Sequence, residues 1–469
     1  MTRASDVLAG RAVDDPFPAV VIGAGISGLA CAYALRKAGV DAQVFEASGR
    51  AGGLIESTRL DGFLLELGPQ SFTATEALQQ LCRELEIESR AVEAPPRAPR
   101  FILLDGALKA APLSPLAFLA SSFVGIRTKW SLARDLFGKS SPPAAEESVA
   151  AFLRRKFSAE LLENLVGPFV SGIYAGDPEK LSLQAAFPEL YRAEVSAGSV
   201  LRGVIRAAKN RRQPSGGRTP RSFEEGNETL TRALAGKLGD RLHLETPVTA
   251  LGWASATEEV YTVRASVGGA SRTFTARHVV LALPSLAASA LLREVAPDLS
   301  RALEEIDYAP VAVVALAYRE AAVGRGLQGF GFLVPRSAGL ETLGSVWNSS
   351  LFPGRAPQGC VLMTSFVGGA LNPRAAAFGT EELAELVHRE LEPVLQLRER
   401  PAFSRVTAHP RAIPQYNLGH RARLEALEKA AERFPGLSMT GNYLRGPSIG
   451  ACVEQAQAVA ATVAARLKS

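Results

Sequence analysis

The sequence is poor in the residues that build disulfide frameworks and metal centres. Its 469 residues include only 4 cysteines and 5 histidines. The cysteines are far apart and form no CxxC pair, which argues against a disulfide framework or a zinc site and fits a reducing compartment. The histidines are equally dispersed, so the sequence predicts no metal site.

Long apolar runs and a strong charge of one sign are also lacking. No stretch reaches the roughly 20 apolar residues that span a bilayer. The start of the chain has no apolar core and carries Asp6, Asp14 and Asp15, so we expect no signal peptide and a disordered lead over residues 1–17. A net charge of +5 does not indicate a nucleic-acid binder, although a pI near 9.1 suits an anionic substrate or membrane surface.

Residues 18–53 carry the most informative pattern: a β-branched strand, a glycine-rich turn, a helix and a second strand. Gly23 permits the tight turn, Gly25 lets a dinucleotide pyrophosphate approach the backbone, and Gly28 packs the helix against the strand. Glu46 ends the second strand, where a carboxylate accepts hydrogen bonds from ribose hydroxyls. The predicted cofactor contacts of this unit are Gly23, Ala24, Gly25, Ile26, Ser27, Gly28, Glu46 and Ala47.

The residues after Glu46 favour FAD over NAD. Arg50 and the diglycine Gly52-Gly53 follow the acid, and this arrangement resembles the extended fingerprint of the FAD-dependent amine oxidases and their relatives. The resemblance implies that these three residues lie along the flavin phosphates. It also implies that the turn at 68–71 passes close to the flavin ring, which adds Gly68, Pro69, Gln70 and Ser71 to the cofactor contacts.

The pattern of elements predicts an α/β plus α+β protein. We expect a discontinuous Rossmann-type FAD-binding domain, a substrate domain with an antiparallel sheet, and a helical membrane-binding insertion. The predicted division is 1–17 lead, 18–90 FAD-binding, 91–111 substrate, 112–205 helical membrane-associating, 206–222 basic mobile loop, 223–285 FAD-binding, 286–435 substrate and 436–469 FAD-binding.

Four local predictions bear on the site. Residues 113–126 are mostly apolar and suit either an interfacial anchor or a buried core helix. Residues 171–177 are predicted as a glycine-punctuated turn, and 273–283 as one apolar strand. Near the end, a strand, a glycine turn at 441–446 and a helix would aim a second helix N-terminus at the flavin, where its dipole stabilises the anionic reduced form.

Three further motifs resemble the protoporphyrinogen oxidases, the FAD enzymes of haem and chlorophyll synthesis. They are GFGFLVP at 329–335, IPQYNLGH at 413–420 and SGIYAGD at 171–177, and the resemblance runs from Ala19 nearly to the C-terminus. Ala451 stands where this family usually has an aspartate before Cys452. Gln70 replaces an expected Asn or Arg, and Phe366 stands where some members have Met.

The resemblance implies a porphyrinogen substrate, O2 as electron acceptor and one non-covalent FAD per chain. It implies substrate contacts at Arg100, Gly172, Phe330, Phe332, Leu333 and Phe366. It implies further cofactor contacts at Val248, Trp347, Gly441, Asn442, Ser448 and Ile449. No general base is named, because a pyrrole N–H can lose its proton to solvent. A homodimer and a cytoplasmic protein attached peripherally to the inner membrane are also expected.

Several alternatives stay open at this stage. Arg100 also suits a surface arginine beside a strand, and the phenylalanines suit plain core packing. Coproporphyrinogen III is a second substrate candidate, and an amine oxidase or carotenoid desaturase would share only the FAD scaffold. A flavin-binding, membrane-attached scaffold without catalysis is the non-enzyme alternative, motivated by the missing aspartate.

Overall fold

The computed structural model describes residues 15–112, 115–140, 142–210, 219–255 and 259–468. Its strands are β1 (Ala19–Ile22), β2 (Ala42–Phe45), β3 (Ser57–Leu60), β4 (Phe63–Glu66), β5 (Phe72–Thr73), β6 (Ala91–Glu93), β7 (Arg100–Leu104), β8 (Ala107–Ala110), β9 (Pro220–Phe223), β10 (Leu242–His243), β11 (Val248–Ser255), β12 (Val260–Val267), β13 (Ala270–Ala276), β14 (Val279–Leu281), β15 (Tyr308–Arg319), β16 (Gly331–Leu333), β17 (Thr342–Val346), β18 (Cys360–Gly368), β19 (Phe403–Pro414) and β20 (Leu437–Met439).

The α-helices are α1 (Ile26–Lys37), α2 (Glu76–Glu84), α3 (Pro115–Ala120), α4 (Ile126–Phe137), α5 (Val149–Lys156), α6 (Ala159–Leu161), α7 (Gly167–Tyr174), α8 (Leu183–Ala186), α9 (Pro188–Ala197), α10 (Val200–Asn210), α11 (Glu228–Leu238), α12 (Ser285–Leu292), α13 (Pro297–Glu304), α14 (Asn348–Leu351), α15 (Thr380–Leu395), α16 (His420–Ala431) and α17 (Ile449–Lys468).

A parallel sheet joins distant parts of the chain, with the order β10-β2-β1-β14-β20. All its pairings are parallel, and α1 and α17 share one core against it. The strands are short and apolar, as expected for a sheet that is buried on both faces. The prediction of a sheet that is completed by late segments of the chain is confirmed.

The predicted single strand over 273–283 is wrong. It is divided into β13, which pairs antiparallel with β12, and β14, which enters the parallel sheet. Phe17 causes part of this division: its N–H donates to Thr275 O, and the Arg277 N–H donates back to Phe17 O, both at 2.9 Å. Phe17 is also buried, so the predicted disordered lead is corrected at that residue, while residues 1–14 lie outside the described part.

The second large sheet has the order β19-β15-β18-β17-β16-β7-β8. The predicted antiparallel sheet is confirmed except at one position, where β7 pairs parallel with β16. A tight turn joins β7 to β8, but no turn joins β7 to β16, because more than two hundred residues separate these two strands along the chain. Helix α15 covers one face of this sheet, and the β3–β4 hairpin packs on the other.

Helices α3 to α10 form the predicted helical region between β8 and β9. The apolar segment at 113–126 is divided: Phe123 and Val124 are buried in the core, whereas Ile126 is 68% exposed, and residues 113 and 114 lie outside the described part. The predicted turn at 171–177 is corrected, since α7 continues to Tyr174 and the chain turns only at Ala175, which has a φ of 45°. Among the described residues, no helix combines the length and apolar character needed to cross a bilayer.

The predicted basic loop over 206–222 is also corrected at both ends. Helix α10 continues to Asn210, and β9 pairs with β5 and β6, while residues 211–218 lie outside the described part. Ser222 and Phe223 are fully buried, and Arg221 pairs with Glu93. Burial of these two side chains fixes the end of the segment as a strand despite its basic, Gly- and Pro-rich composition.

A buried ion pair joins the β3–β4 hairpin to the loop between α14 and β18. The Glu66 carboxylate on β4 lies 2.9 Å from the Arg355 guanidinium, and both side chains are at most 2% exposed. Glu66 also accepts from Ser57 Oγ at 2.6 Å and from the Asn227 N–H at 3.0 Å. Burial raises the pKa of Glu66, although the positive charge of Arg355 opposes this shift. A pair whose lone pairs and N–H groups are satisfied in this way is costly to break from one side only.

We therefore expect Arg355→Met to lower the free energy of unfolding by about 3–5 kcal/mol, because Glu66 would be left buried without its counter-charge. The exposed pair of Arg319 and Glu399 offers the control, and Arg319→Met is expected to cost at most about 1 kcal/mol. Urea denaturation followed by circular dichroism measures both. Equal losses of unfolding free energy in the two variants would show that the buried pair stabilises the protein no more than the exposed pair does.

Candidate functional site

The glycine turn between β1 and α1 leaves open space for a ligand at one residue. Gly23 has a φ of +102°, and a Cβ on Gly28 would lie 1.9 Å from Gly23 O, so both positions require glycine. Gly25 is different: it has an extended backbone, with φ −69° and ψ 177°, and no atom lies within 4 Å of a Cβ built there. No side chain caps α1, and its first turn has no acidic residue, so its N-terminal N–H groups suit an anion.

Glu46 is held beside this turn by short hydrogen bonds. Its Oε2 accepts from the Ala24 N–H at 2.7 Å, and its Oε1 accepts from the Ser48 N–H and hydroxyl at 2.9 and 2.7 Å. The Thr246 N–H donates to Glu46 O at 2.7 Å, which brings Val248 at the start of β11 to the same edge of the sheet. The carboxylate is half-buried, while Ala47 beside it is exposed.

Arg50 stiffens the loop that carries the diglycine. Its guanidinium donates to Gly53 O at 2.5 Å and Ile55 O at 3.2 Å, and it pairs with Glu56 at 2.7 Å. Gly52 closes the loop by donating its N–H to Ala24 O at 2.8 Å. The guanidinium is thus occupied within its own loop, where it holds Gly52 and Gly53 against the glycine turn.

The turn at 68–71 is fixed by the side chain of Gln70. Its amide donates to Glu66 O and Gly68 O, both at 2.9 Å, and its carbonyl accepts from Asn348 at 2.8 Å. Asn227 donates to Pro69 O at 2.7 Å, while Ser71 stays partly exposed. The Gln70 side chain is therefore committed to the protein, and the backbone of the turn is what remains for a cofactor.

The C-terminal segment forms the predicted turn and helix. Ser448 caps α17 by accepting from the Ala451 N–H at 3.2 Å, and the first turn of this helix has no acidic residue. Ala451 stands in this first turn, so the dipole of α17 is not neutralised by the aspartate that the resemblance led us to expect. Gly441 and Asn442 follow β20 at the carboxyl edge of the parallel sheet, where cofactors bind in open α/β folds.

An apolar wall lies on one face of the second sheet. Leu333 pairs with Gly344, which in turn pairs with Phe366, so these residues form one cross-strand row. Gly172 of α7 approaches this row so closely that a Cβ there would lie 2.6 Å from Leu333 Cδ2. The structure thus brings together three predicted substrate contacts, Gly172, Leu333 and Phe366.

Arg100 lies at the rim of this wall. It pairs with Gly331, and Ile102 pairs with Leu333, so alternation along β7 places Arg100 on the face that carries Leu333. Its guanidinium lies 5.0 Å from the centre of the Phe330 ring, in cation–π geometry. The Arg100 side chain is exposed and available to an anionic group.

A comparison with protein families identifies the family to which this chain belongs. The model of the flavin containing amine oxidoreductases matches residues 26–464. The chain belongs to this family. Its cofactor is therefore a flavin, which fits the glycine turn, the uncapped helix N-terminus and Glu46.

Individual relatives are more specific. The chain is 36% identical over 468 residues to the chloroplastic protoporphyrinogen oxidase of Nicotiana tabacum, covering 95% of this chain and 85% of the relative. It is 29% identical to the coproporphyrinogen III oxidase of Bacillus subtilis (strain 168), covering 94% and 96%. A crystal structure from Exiguobacterium sp. 255-15, provisionally named a protoporphyrinogen oxidase, superposes with a TM-score of 0.81 at 24% identity, covering 96% and 99%, and shows the same flavin amine oxidoreductase fold.

Two predicted contacts lie elsewhere in this flavin amine oxidoreductase. Phe332 and Trp347 are buried at 4% and 0% exposure in the core beneath α15. Phe332 precedes Leu333 on a strand, so its side chain points to the opposite face of the sheet from the apolar wall. The predicted substrate contact at Phe332 and the predicted cofactor contact at Trp347 are corrected to packing positions.

The motif at 413–420 supplies residues for which sequence reasoning gave no role. Gln415, Tyr416 and His420 are all at most 3% exposed, and the Tyr416 hydroxyl contacts the turn at 441–446. The sequence feature that could have indicated their burial is the presence of two aromatic residues and a glutamine in a segment with the composition of a loop. Gly344, in the middle of the apolar wall, was missed as well, because its importance depends on strand register.

Gly25→Ala tests the glycine turn without straining it. Alanine adopts the backbone conformation of Gly25, so we expect the thermal unfolding of the apoprotein to stay unchanged. The added methyl group would occupy the open space, and we expect the affinity for FAD to fall about tenfold or more, equivalent to about 1.4 kcal/mol. Fluorescence titration of the apoprotein with FAD measures this. Gly236→Ala, also in open space but on α11, is the matched control, and equal affinities in the two variants would contradict the assignment.

Proposed function

We propose that this protein oxidises protoporphyrinogen IX to protoporphyrin IX in haem biosynthesis. The observation that carries the proposal is the apolar wall of Gly172, Leu333 and Phe366 with Arg100 at its rim. A porphyrinogen has the matching chemistry, a large apolar ring with carboxylate groups on one side. The relationship to the tobacco enzyme over nearly the whole chain supports the same substrate.

The flavin in this proposal is one FAD per chain. The glycine turn and the N-terminus of α1 would hold the pyrophosphate, and Glu46 the ribose. FAD supplies a two-electron acceptor that O2 reoxidises, so removal of six electrons from the substrate consumes three O2 and releases three H2O2. Binding would be non-covalent: burial raises the pKa of the Cys452 thiol, the cysteine at the C-terminal turn, to about 11, and a neutral thiol is a poor nucleophile.

The residues of this chain bind and orient the substrate and need not exchange protons with it. The described side chains of the wall are apolar, and Arg100 is a cation that does not act as a base. Arg100 would hold one propionate through a charge-assisted contact and so fix which edge of the ring faces the flavin. Pyrrole protons can leave through the other nitrogen atoms of the ring or to solvent.

Coproporphyrinogen III is the second candidate substrate, favoured by the relationship to the Bacillus subtilis enzyme. It has four propionates instead of two and would call for more cations around the wall. Arg100 is the cation that we place at the rim, which favours the less acidic substrate. A flavin-binding scaffold without catalysis is the remaining alternative, and its motivation is Ala451 in place of the family's aspartate.

Aerobic turnover with each porphyrinogen, followed by porphyrin fluorescence, tests the proposal. We expect Arg100→Ala to raise KM for protoporphyrinogen IX about tenfold or more, since a lost charge-assisted bond is worth about 1.5–3 kcal/mol. Arg97→Ala, an exposed neighbour outside the strand, is the control. Faster conversion of coproporphyrinogen III than of protoporphyrinogen IX would show that coproporphyrinogen III is the preferred substrate. If neither porphyrinogen is converted to a porphyrin although flavin is bound, the result would favour the flavin-binding scaffold without catalysis.

We also propose peripheral attachment to the cytoplasmic face of the inner membrane through α4. The polarity of this helix is the reverse of that of an ordinary surface helix, because large apolar side chains face outward and polar ones face inward. The exposed fractions are 68% for Ile126, 70% for Trp130 and 83% for Phe137, whereas Thr128 and Asp135 are buried. The three exposed side chains lie within about 40° of one another around the helix axis at 100° per residue. Its other charged residues are basic, which suits an anionic lipid surface. The expected homodimer stays a prediction.

Charge on this apolar face should release the protein from lipid. We expect Trp130→Glu with Phe137→Glu to lower co-sedimentation with vesicles of phosphatidylglycerol and phosphatidylethanolamine at least tenfold, because two carboxylates would have to enter the interface. Phe378→Glu, at a position that is 39% exposed outside the helical region, is the control. Unchanged co-sedimentation of the double variant would exclude α4 as the anchor.

A further inference from the structure

The segment at 413–420, here called the strap, connects the helical region to the C-terminal turn. It leaves the second sheet at the end of β19 and runs beside α8, where the Ser182 N–H donates to Tyr416 O at 2.8 Å. Tyr416 is 1% exposed, and burial raises its pKa far above the usual value. A buried tyrosine needs a partner for its hydroxyl, and this one has two.

Both partners belong to the turn at 441–446. The Tyr416 hydroxyl donates to Asn442 O at 2.5 Å and accepts from the Gly446 N–H at 2.6 Å. One side chain therefore bridges the two ends of the turn. Gly446 has a φ of +122° and is followed by Pro447, so the chain direction into α17 is set at the residue that Tyr416 holds.

His420 holds the middle of the same turn. Its Nε2 donates to Leu444 O at 3.2 Å, and its ring stacks on Tyr416 with centres 4.4 Å apart and planes 13° apart. Burial lowers the pKa of His420, so the ring stays neutral near neutral pH. Two stacked rings thus satisfy three backbone groups of a six-residue turn.

The strap also contacts the end of the helix that carries Gly172. Gln415 donates to Tyr174 O at 2.8 Å, and the rings of Tyr174 and Tyr416 lie 5.8 Å apart. Tyr174 is the last residue of α7, which carries Gly172 against Leu333. The same segment therefore sets the position of one side of the substrate wall and of the C-terminal turn.

We propose that Tyr416 and His420 are positioning residues for the flavin. By fixing the turn at 441–446, they aim the N-terminus of α17 at the cofactor and hold the turn at a constant distance from the substrate wall. This inference rests on the proposal that the cofactor is FAD. It assigns no chemical step to either residue, because both act through the backbone of the turn.

Tyr416→Phe keeps the stacked ring and removes both hydrogen bonds to the turn. We expect the dissociation constant for FAD to rise about tenfold, equivalent to about 1.4 kcal/mol, and the reduction potential of the bound flavin to become more negative because the helix dipole is aimed less well. FAD titration of the apoprotein and a reductive titration of the loaded protein measure the two quantities.

Tyr318→Phe is the matched control. Tyr318 is fully buried, and its hydroxyl has one partner, His388 Nδ1 at 3.0 Å, in the core beneath α15. We expect this variant to lose thermal stability but to keep wild-type FAD affinity and potential. If Tyr416→Phe also changes only thermal stability, the positioning role is wrong. If the wild-type apoprotein fails to take up FAD, the proposed cofactor is wrong and this inference falls with it.

Discussion

The buried pair of Glu66 and Arg355 is the interaction on which the geometry of the site depends. Two charges removed from water are tolerated only when their remaining hydrogen-bonding groups are satisfied, and here Ser57, Asn227 and Ser222 supply those partners. These groups come from the β3–β4 hairpin, from the start of α11 and from β9. The pair therefore holds this hairpin against the loop that leads into β18, and it positions the turn at 68–71 because Gln70 donates to Glu66 O.

Alternation along the strands decides which residues of that second sheet face the substrate wall. Phe332 and Leu333 are adjacent and equally apolar, yet one packs beneath α15 and the other against Gly172. Every second residue of a strand faces the same side of the sheet. A shift of one residue in register would therefore turn the residues that face the substrate wall toward the core, and the core residues toward the wall. Gly344 lies between Leu333 and Phe366, where a larger side chain would meet Phe332 O at 2.7 Å.

Local patterns allowed the backbone of the glycine turn, the end of β2 before Glu46 and the C-terminal turn to be predicted, because each depends on a few neighbouring residues. The substrate side was less predictable. The parallel pairing of β7 with β16, the partner of Glu66 and the contacts of Tyr416 join residues that are distant in the chain, and no spacing rule encodes them. Phe332 and Trp347 were misassigned for the same reason, because the identity of an aromatic residue does not reveal against which element it packs. Composition misled at 220–222, where strand pairing with β5 and β6 outweighs a basic sequence.

Helix α4 has large apolar side chains on its outer face because ion pairs hold its inner face. Asp135 faces inward and lies 2.5 Å from Lys156, which also approaches Glu194 at 3.4 Å, and Arg155 pairs with Glu194 at 2.9 Å. Burial would raise the pKa of Asp135, but hydrogen bonds from Leu201 N–H and Lys156 leave it below its usual value, so the network stays ionised at neutral pH. Because these ion pairs hold α4 in place, Ile126, Trp130 and Phe137 are not needed for its packing and remain on the outside.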